Sequence, residues 1–276
     1  LIFDENEFKK LFSHLKIEKT VSGGSVANSI VGLSQLGNEV GFIGKVSDDE
    51  LGNKYEEGLK KENVQYIYVK KKEKVPTGTC LIMITPDSER TMCTFLGTAG
   101  QINNDDIKIK AIEESELIFL EGYLWDEGEP KKAFDKAIKY AKKIAMSLSD
   151  QFCVDRHKPH FLDLVKDKVD ITFANEAEIM SLIKTQSFDE VIKFARDIKK
   201  TLVITRGEKG AISIKDDNVT EIRAKKNLQI LDLTGAGDLF AAGYLDGLIN
   251  NLSQAECLEK GTQLSSRVIQ QIGARF

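Results

Sequence analysis

The chain has 276 residues, of which 41% are hydrophobic and 30% are charged, and its formal net charge is −4. This composition is typical of an ordinary globular protein with one large α/β domain, or with a large domain and a small one. The slightly acidic balance gives no support to binding of nucleic acid or of an anionic membrane, and a total of three histidines argues against a histidine-based metal site.

The four cysteines are widely spaced and form no C-x-x-C pair; they are Cys80, Cys93, Cys153 and Cys257. Scattered thiols of this kind are typical of a reducing compartment. The sequence shows no signal-peptide pattern and no apolar run of about 18 residues, the length that a membrane-spanning helix needs. We therefore expect a cytoplasmic protein with no membrane partner.

Apolar spacing and capping residues predict the first elements of the chain. They are a helix over residues 4–15 with Asp4 as its N-cap, a helix over 25–36 rich in small residues, a short buried strand over 40–46, and a helix from Asp48 to Lys61. Small residues on most faces of the second helix indicate close packing against a neighbour or a ligand.

Residues 66–96 contain three short β-rich runs in succession: Y-I-Y-V-K, G-T-C-L-I-M-I-T and R-T-M-C-T-F-L. The segment T-P-D-S-E between the last two runs predicts a hairpin turn at residues 85–89. We therefore expect a small antiparallel sheet that acts as a lid and comprises residues 66–96 together with residues 18–22. The α/β core would then comprise residues 1–65 and 97–276.

From residue 115 onward, strands and helices alternate, which predicts βαβ units and a mostly parallel sheet with helices on both faces. The predicted strands cover residues 116–121, 144–149, 169–174 and 201–205, followed by a hairpin pair at 211–215 and 219–222. The predicted helices cover residues 129–143, 159–167, 175–184, 187–200, 236–249 and 253–271. The expected fold class is α/β.

Ligands of open α/β sheets bind beyond the carboxyl ends of the strands. Polar or glycine-rich segments follow five apparent strands, at residues 121–123, 149–150, 174–178, 205–210 and 234–238. Because such strand ends share one edge of the sheet, we expect a single cleft there.

A stretch near the C-terminus carries the clearest chemistry and reads I-L-D-L-T-G-A-G-D-L-F-A-A-G-Y-L-D-G. Gly235, Ala236 and Gly237 leave the backbone bare at the positive end of an apolar helix, which favours anion binding. Asp238 places a carboxylate beside that site, where it could take a proton from an attacking hydroxyl. The combination indicates phosphoryl transfer to an alcohol. The alternative is that Thr234 caps the helix and Asp238 only complements its dipole.

Two other strand ends carry groups that suit a bound nucleotide. Asn175 and Glu178 lie three residues apart at the start of a helix, and a carboxylate with an amide suits Mg²⁺ held largely through water. The alternative is a plain helix cap. The turn from Thr205 through Gly207 to Gly210 could wrap nucleotide phosphates with its N–H groups, although a simple tight turn explains it equally well.

Four segments together resemble the pfkB carbohydrate kinases, also called the ribokinase-like family. They are G-G-S-V-A-N from Gly23 to Asn28, Asn175-x-x-Glu178, Thr205-x-Gly207, and D-L-T-G-A-G-D from Asp232 to Asp238. The resemblance covers nearly the whole chain in the same order and is greatest to adenosine kinases and related bacterial sugar kinases. It implies a three-layer αβα core with a small β-sheet lid, and a kinase that uses ATP and Mg²⁺.

The resemblance also implies individual roles. Asp238 would be the base that activates a primary hydroxyl, and the amides of residues 235–237 would stabilise charge on the transferred phosphoryl group. In some members, the positions of Asp232 and Thr234 bind a monovalent cation, usually K⁺, and the helices around Gly261 border the adenine. The residues that would hold the nucleotide and its cations are Asn175, Glu178, Thr205, Gly207, Gly210, Asp232, Thr234 and Gly261.

For the acceptor, the resemblance implies contacts of Gly23, Gly24 and Asn28 with ribose or sugar hydroxyls. Glu121 stands where ribokinase-like sugar kinases place an acid against the sugar, whereas adenosine kinases have a small residue there. Tyr123 could stack on a purine, as an aromatic residue does in adenosine kinases. The two neighbours therefore favour different acceptors.

The resulting hypothesis is a kinase for the 5′-hydroxyl of a nucleoside, with adenosine as the expected acceptor and AMP as the product. The alternatives are a kinase for ribose, fructose or a related sugar, and a nucleoside-binding member of the fold without turnover. The partner is a small molecule, and both a monomer and a homodimer remain open. The family normally begins with a strand carrying G-N-x-x-x-D, so we expect a further N-terminal segment before Leu1.

Overall fold

The computed structural model describes residues 1–85, 90–125 and 128–276. Its helices are α1 (Glu5–Phe12), α2 (Ser25–Gln35), α3 (Glu50–Lys61), α4 (Ile109–Glu114), α5 (Glu129–Tyr140), α6 (Gln151–Asp163), α7 (Glu176–Ile183), α8 (Phe188–Ile198), α9 (Ala236–Ile249) and α10 (Gln254–Val268). Its strands are β1 (Gly41–Phe42), β2 (Gln65–Tyr66), β3 (Thr79–Ile84), β4 (Arg90–Phe95), β5 (Ile118–Glu121), β6 (Ile144–Ser147), β7 (Ile171–Asn175), β8 (Thr201–Thr205), β9 (Ala211–Lys215) and β10 (Asn218–Ile222). Among the helices described, none is long and apolar enough to cross a membrane.

Strands β5 to β10 form the central sheet, in the spatial order β10-β9-β8-β7-β6-β5. Strands β5 to β8 are parallel to one another, and β9 and β10 form an antiparallel hairpin at one edge. The register aligns Glu121 with Ser147 and Asn175 with Thr205, so the carboxyl ends of the parallel strands lie side by side. The predicted mostly parallel sheet is confirmed.

Helices cover both faces of the central sheet. One apolar core contains Phe161 of α6 and Leu182 of α7, and the other contains Leu33 of α2, Phe240 of α9 and Leu258 of α10. Strands that are buried on both faces need near-continuous apolar runs, which is what the sequence of β5 to β8 provides. The three-layer αβα fold is therefore confirmed.

Capping residues set the beginnings of several helices. Asp4 is the N-cap of α1, as predicted, and forms a capping box with Glu7. The helix α3 begins later than predicted because Asp49, rather than Asp48, is its N-cap and accepts the Gly52 N–H at 2.8 Å.

Strands β3 and β4 form a separate antiparallel pair, as predicted. Helix α1 packs against this pair, with Phe8 in one apolar cluster with Leu81 and Cys93. The prediction assigned the first residues to the core, whereas α1 shares its apolar cluster with the hairpin. Residues 86–89 of the predicted turn lie outside the described residues.

The first of the three predicted runs, residues 66–70, does not join the small sheet. β2 pairs in parallel with β1, and the chain continues beside that segment as far as a bridge between Ser47 and Lys71. Residues 1–3 lie along β4 instead, where the Phe3 N–H donates to the Thr94 carbonyl oxygen at 2.8 Å. The prediction of three antiparallel runs was therefore wrong, and the predicted buried strand at 40–46 is shorter and more exposed.

Helix α6 also differs from the prediction, which began this helix at residue 159. The helix starts at Gln151, after the N-cap Asp150, and includes Pro159. His157 has a non-helical backbone there, so the helix kinks two residues before Pro159, which lacks an N–H donor.

Trp125, the only tryptophan of the sequence, is 1% exposed and stacks on Phe134 with ring centroids 4.6 Å apart. Its Nε1–H group donates to Nδ1 of His160 at 3.0 Å. Burial lowers the pKa of His160, and the positive charge of Lys131 adds to this effect. A protonated Nδ1 cannot accept the hydrogen bond, so the fold requires a neutral imidazole.

We therefore predict that the free energy of unfolding falls as the pH drops through the folded-state pKa of His160, which lies below its ordinary value of about 6.5. The contribution is fully present above that ordinary value, because neither the native nor the unfolded state then binds the proton. Its expected size is about 1 kcal/mol, the value of one hydrogen bond. Urea denaturation between pH 7.5 and pH 5, followed by Trp125 fluorescence, measures it.

The control for this experiment is His160→Asn, whose amide oxygen can accept from Trp125 without titrating. This variant should lose most of the pH dependence that wild type shows. An equally large pH dependence in both proteins would contradict the assignment.

Candidate active site

One cleft runs along the carboxyl ends of the parallel strands. Its lining includes the strand-end residues Glu121, Ser149, Asn175 and Thr205 and the segments 23–28, 231–238 and 272–274. Four of the five predicted segments follow parallel strands of the sheet. The fifth, residues 234–238, follows an irregular segment, because no strand forms between β10 and α9 in the described chain.

Asp238 lies on the first turn of α9, where two donors from α2 hold its carboxylate. Ser25 Oγ donates to Oδ1 and Asn28 Nδ2 donates to Oδ2, each at 2.8 Å. The Ser29 hydroxyl donates to the carbonyl oxygen of Asp238 at 2.9 Å. These contacts fix the orientation of the carboxylate at the start of α9.

The N-terminus of α9 is open at the same place. Gly235 is the N-cap with a φ of 81°, and no side chain caps the first turn. Gly237 is exposed, and a methyl group on it would meet no atom within 4 Å. Because Gly235 is the N-cap and no side chain caps the helix, the alternative that Thr234 caps it is wrong. An uncapped helix start with a bare backbone favours an anion.

Gly235 also makes a close contact with the C-terminal segment. A methyl group on Gly235 would lie 2.6 Å from the Cβ atom and 2.8 Å from the Cα atom of Ala274. The positive φ and this contact both require glycine.

Asp232 is 3% exposed and accepts two backbone hydrogen bonds, from Thr234 N at 2.8 Å and from Gly273 N at 3.0 Å. Thr234 Oγ1 is buried, and it has no hydrogen-bond partner among the residues that the structure describes. A buried hydroxyl without a partner costs free energy, so this atom is a candidate ligand of an ion or water.

Glu121 caps the start of α2 from the end of β5. Its Oε2 accepts the Val26 N–H at 3.0 Å, and Gly24, the N-cap of α2, supplies no side chain for this purpose. Burial raises the pKa of Glu121, and the negative charge of Asp238 raises it further. The hydroxyl of Tyr123 donates to the Ser149 carbonyl oxygen at 3.2 Å.

Asn175 and Glu178 form a complete capping box at the start of α7. The Asn175 side chain accepts from Glu178 N at 2.8 Å, and Glu178 accepts from Asn175 N at 2.9 Å and from Asn175 Nδ2 at 2.7 Å. Burial raises the pKa of Glu178 to about 7, with a further contribution from Asp150. The helix cap, given above as the alternative to a Mg²⁺ site, is therefore present, and the buried carboxylate also lines the cleft.

The turn after β8 contributes less to the cleft than the sequence indicates. Thr205 lines the cleft, whereas Gly207 and Gly210 do not. A methyl group on Gly210 would lie 1.9 Å from the Ile222 carbonyl oxygen, so this glycine allows a tight turn beside β10. Among the residues described, no group of three or more His, Cys, Asp and Glu side chains could hold a metal ion directly.

Gly261 lies inside the interface between α9 and α10 rather than on the cleft. A methyl group on it would lie 2.8 Å from the Phe240 carbonyl oxygen. Its position indicates a role in helix packing, which differs from the predicted contact with adenine.

Two residues with direct roles in this geometry were missed by sequence reasoning. Ser25 adjoins the glycine pair, and its position at the start of α2 could have identified it. Arg275 donates from Nε to Asn28 Oδ1 at 2.9 Å and from Nη2 to the Gly23 carbonyl oxygen at 2.8 Å. Nothing in the local sequence indicates Arg275, because its partners Asn28 and Gly23 lie near the other end of the chain.

Comparison with known proteins gives a family match over residues 5–276, to the pfkB family carbohydrate kinases. The solved adenosine kinase of Sinorhizobium meliloti is 34% identical, with a TM-score of 0.95 over 100% of this chain and 86% of that chain. A probable sugar kinase of Rhizobium etli CFN 42 is also 34% identical, with a TM-score of 0.95 over 99% and 84%. The 5-dehydro-2-deoxygluconokinase of Bacillus thuringiensis is 26% identical over 96% of this chain and 84% of that protein.

The chain belongs to the pfkB family of carbohydrate kinases. Its reaction is phosphorylation of a hydroxyl group on a sugar or a nucleoside. The resemblance noted in the sequence and the ribokinase-like fold are both confirmed.

A matched pair of substitutions should separate packing from catalysis at the start of α9. Gly237→Ala should fold normally, because the added methyl group meets no atom within 4 Å, and should lower kcat about 10-fold or more by crowding the transferred group. Gly235→Ala should lower both kcat and the free energy of unfolding, the latter by about 2 kcal/mol, because of its positive φ and its contact with Ala274.

Steady-state kinetics and urea denaturation of both variants test this prediction. Full activity of Gly237→Ala would show that the reacting groups do not approach this end of α9.

Proposed function

We propose that the chain is an ATP-dependent kinase that phosphorylates the primary 5′-hydroxyl of a nucleoside, with adenosine as acceptor, AMP as product and Asp238 as general base. The observation that carries the proposal is the carboxylate of Asp238, oriented by Ser25 and Asn28 beside the uncapped start of α9. A base must lie within hydrogen-bond reach of the hydroxyl, and the negative charge of the transferred group must be stabilised close by. The N–H groups of residues 235–237 would supply that stabilisation.

The structural role of Glu121 supports a nucleoside acceptor. The carboxylate of Glu121 argues for a sugar acceptor only if its oxygens can accept hydrogen bonds from the sugar hydroxyls. Here one oxygen already accepts the Val26 N–H, and the side chain completes the capping of α2. Tyr123, whose hydroxyl is anchored to Ser149, then remains as the aromatic surface for a purine.

A sugar acceptor is the second candidate. It is favoured by the names of the Rhizobium etli and Bacillus thuringiensis relatives, which are sugar kinases, and by the second oxygen of Glu121, Oε1, which can accept a hydroxyl donor. A nucleoside-binding protein without turnover is the third candidate, and the intact Asp238 argues against it. In all three cases, Gly23, Gly24 and Asn28 would border the acceptor.

Asn175 and Glu178 fit a hydrated Mg²⁺ ion. Each oxygen of Glu178 accepts one hydrogen bond from Asn175, which leaves lone pairs for the waters of an ion in the cleft. The ion would supply neutralisation of charge on the phosphates of ATP. Thr205 would contact those phosphates, and the β3–β4 hairpin would act as a lid that excludes water.

Adenosine should give the highest kcat/KM in a coupled ADP-release assay against ribose, fructose and 5-dehydro-2-deoxygluconate. Asp238→Asn should lower kcat by roughly 10²- to 10⁴-fold, the usual contribution of a general base, while ATP binding stays near the wild-type value. Asp217→Asn, at an exposed turn residue, is the matched control and should keep full activity. Turnover of a sugar in preference to adenosine would replace the nucleoside acceptor, and full activity of Asp238→Asn would remove this residue as the base.

Asp232 and Thr234 fit a monovalent cation, because a buried carboxylate lies beside a buried hydroxyl that has no partner in the described chain. We expect K⁺ to raise both activity and melting temperature relative to tetramethylammonium. Thr234→Val removes the hydroxyl at nearly constant volume and should abolish both responses. Equal responses to K⁺ in wild type and variant would place the cation elsewhere.

A further inference from the structure

Residues 273–275 lie beside the cleft and contact three parts of the site. The Gly273 N–H donates to Asp232 Oδ2 at 3.0 Å, and Ala274 packs against Gly235. Arg275 reaches furthest, since it donates to Asn28 on α2. Of these contacts, the one made by Arg275 has a direct consequence for Asp238.

The chemistry of the two side chains fixes the orientation of the Asn28 amide. A guanidinium group has donors and no acceptor, so the amide atom that faces Arg275 must be the oxygen. The NH₂ group of Asn28 must then face the other way, toward Asp238 Oδ2, at 2.8 Å. With the amide reversed, its oxygen would face the carboxylate, and two acceptors would meet.

The surroundings keep both side chains in place. Asn28 is 4% exposed, so water cannot easily replace either partner. Arg275 is half-buried, its Nη2 donates to the Gly23 carbonyl oxygen, and the Tyr55 hydroxyl lies beside its guanidinium group. The backbone of Arg275 is held as well, because its carbonyl oxygen accepts from Gln271 Nε2 at 2.6 Å.

We propose that Arg275 is a positioning residue, which acts through Asn28 to present a hydrogen-bond donor to Asp238 and which fixes the glycine pair of the acceptor loop through Gly23. The inference rests on the proposed role of Asp238 as the base. The two contacts have different consequences: the contact with Asn28 affects the chemical step, and the contact with Gly23 affects acceptor binding.

The test compares Arg275→Met, which removes every donor, with Arg275→Gln, which keeps an NH₂ donor for Asn28 but has no charge. Arg267→Met is the matched control, because Arg267 is exposed and packs on the Phe276 ring, 4.0 Å from its centroid, without contacting Asn28. Arg275→Met should lower kcat roughly 10- to 100-fold, since a displaced catalytic group costs rate on that scale. Arg275→Gln should recover most of that loss, and Arg267→Met should match wild type.

The same substitution in an Asn28→Ala background tests whether the effect passes through Asn28. There, Arg275→Met should cause no further loss of kcat, whereas its increase in KM for the acceptor should remain, because the contact with Gly23 is independent of Asn28. KM for ATP should stay unchanged throughout. Additive losses of kcat in the double variant, or failure of glutamine to restore kcat, would overturn the proposal.

A second measurement does not depend on turnover or on the identity of the acceptor. With ¹⁵N-labelled asparagine, the side-chain NH₂ resonances of Asn28 report its hydrogen bond to Asp238. They should move in Arg275→Met, return toward wild type in Arg275→Gln, and stay constant in Arg267→Met. Unchanged resonances in Arg275→Met would refute the positioning role, whereas failure to phosphorylate adenosine would refute only the proposed acceptor.

Discussion

The hydrogen bonds from α2 to Asp238 are the interactions on which the site depends. They join residues 213 and 210 positions apart, so they form only when α2 and α9 pack in one register. Gly32 allows this close approach, because a methyl group there would lie 2.8 Å from Leu239 Cδ1 and 3.0 Å from Ala242 Cβ. Small residues in α2, noted in the sequence as a sign of close packing, are therefore a requirement for orienting Asp238.

Much of the fold could be predicted because its determinants are local. Alternating apolar runs and capping residues such as Asp4 act within one turn of the chain, and they predicted the parallel sheet and most helices. The errors arose where a distant partner decided the outcome. Residues 66–70 have the composition of a strand, yet their partner is the parallel segment after β1. Pro159 reads as a helix start, but Asp150 had already capped the helix.

The features of the candidate site also divide into those that depend on local sequence and those that depend on distant residues. Asp238 and the bare backbone of residues 235–237 could be found from their own sequence, since the chemistry and the helix start coincide. The orientation of Asp238 could not, because it comes from α2 and, through Asn28, from the end of the chain. Glu121 shows the converse case: its sequence position favoured a sugar ligand, while its contact with Val26 gives it a structural role.

The C-terminal segment contacts both the phosphoryl side and the acceptor side of the proposed site. Ala274 packs against Gly235 at the anion end of α9, and the next residue, Arg275, binds Gly23 in the acceptor loop. A displacement of this segment would therefore move the phosphoryl side and the acceptor side together. The two segments pack closely at that contact, because a methyl group on Gly235 would lie only 2.6 Å from the Cβ atom of Ala274. In the proposed reaction, packing as well as hydrogen bonds would therefore set the geometry between donor and acceptor.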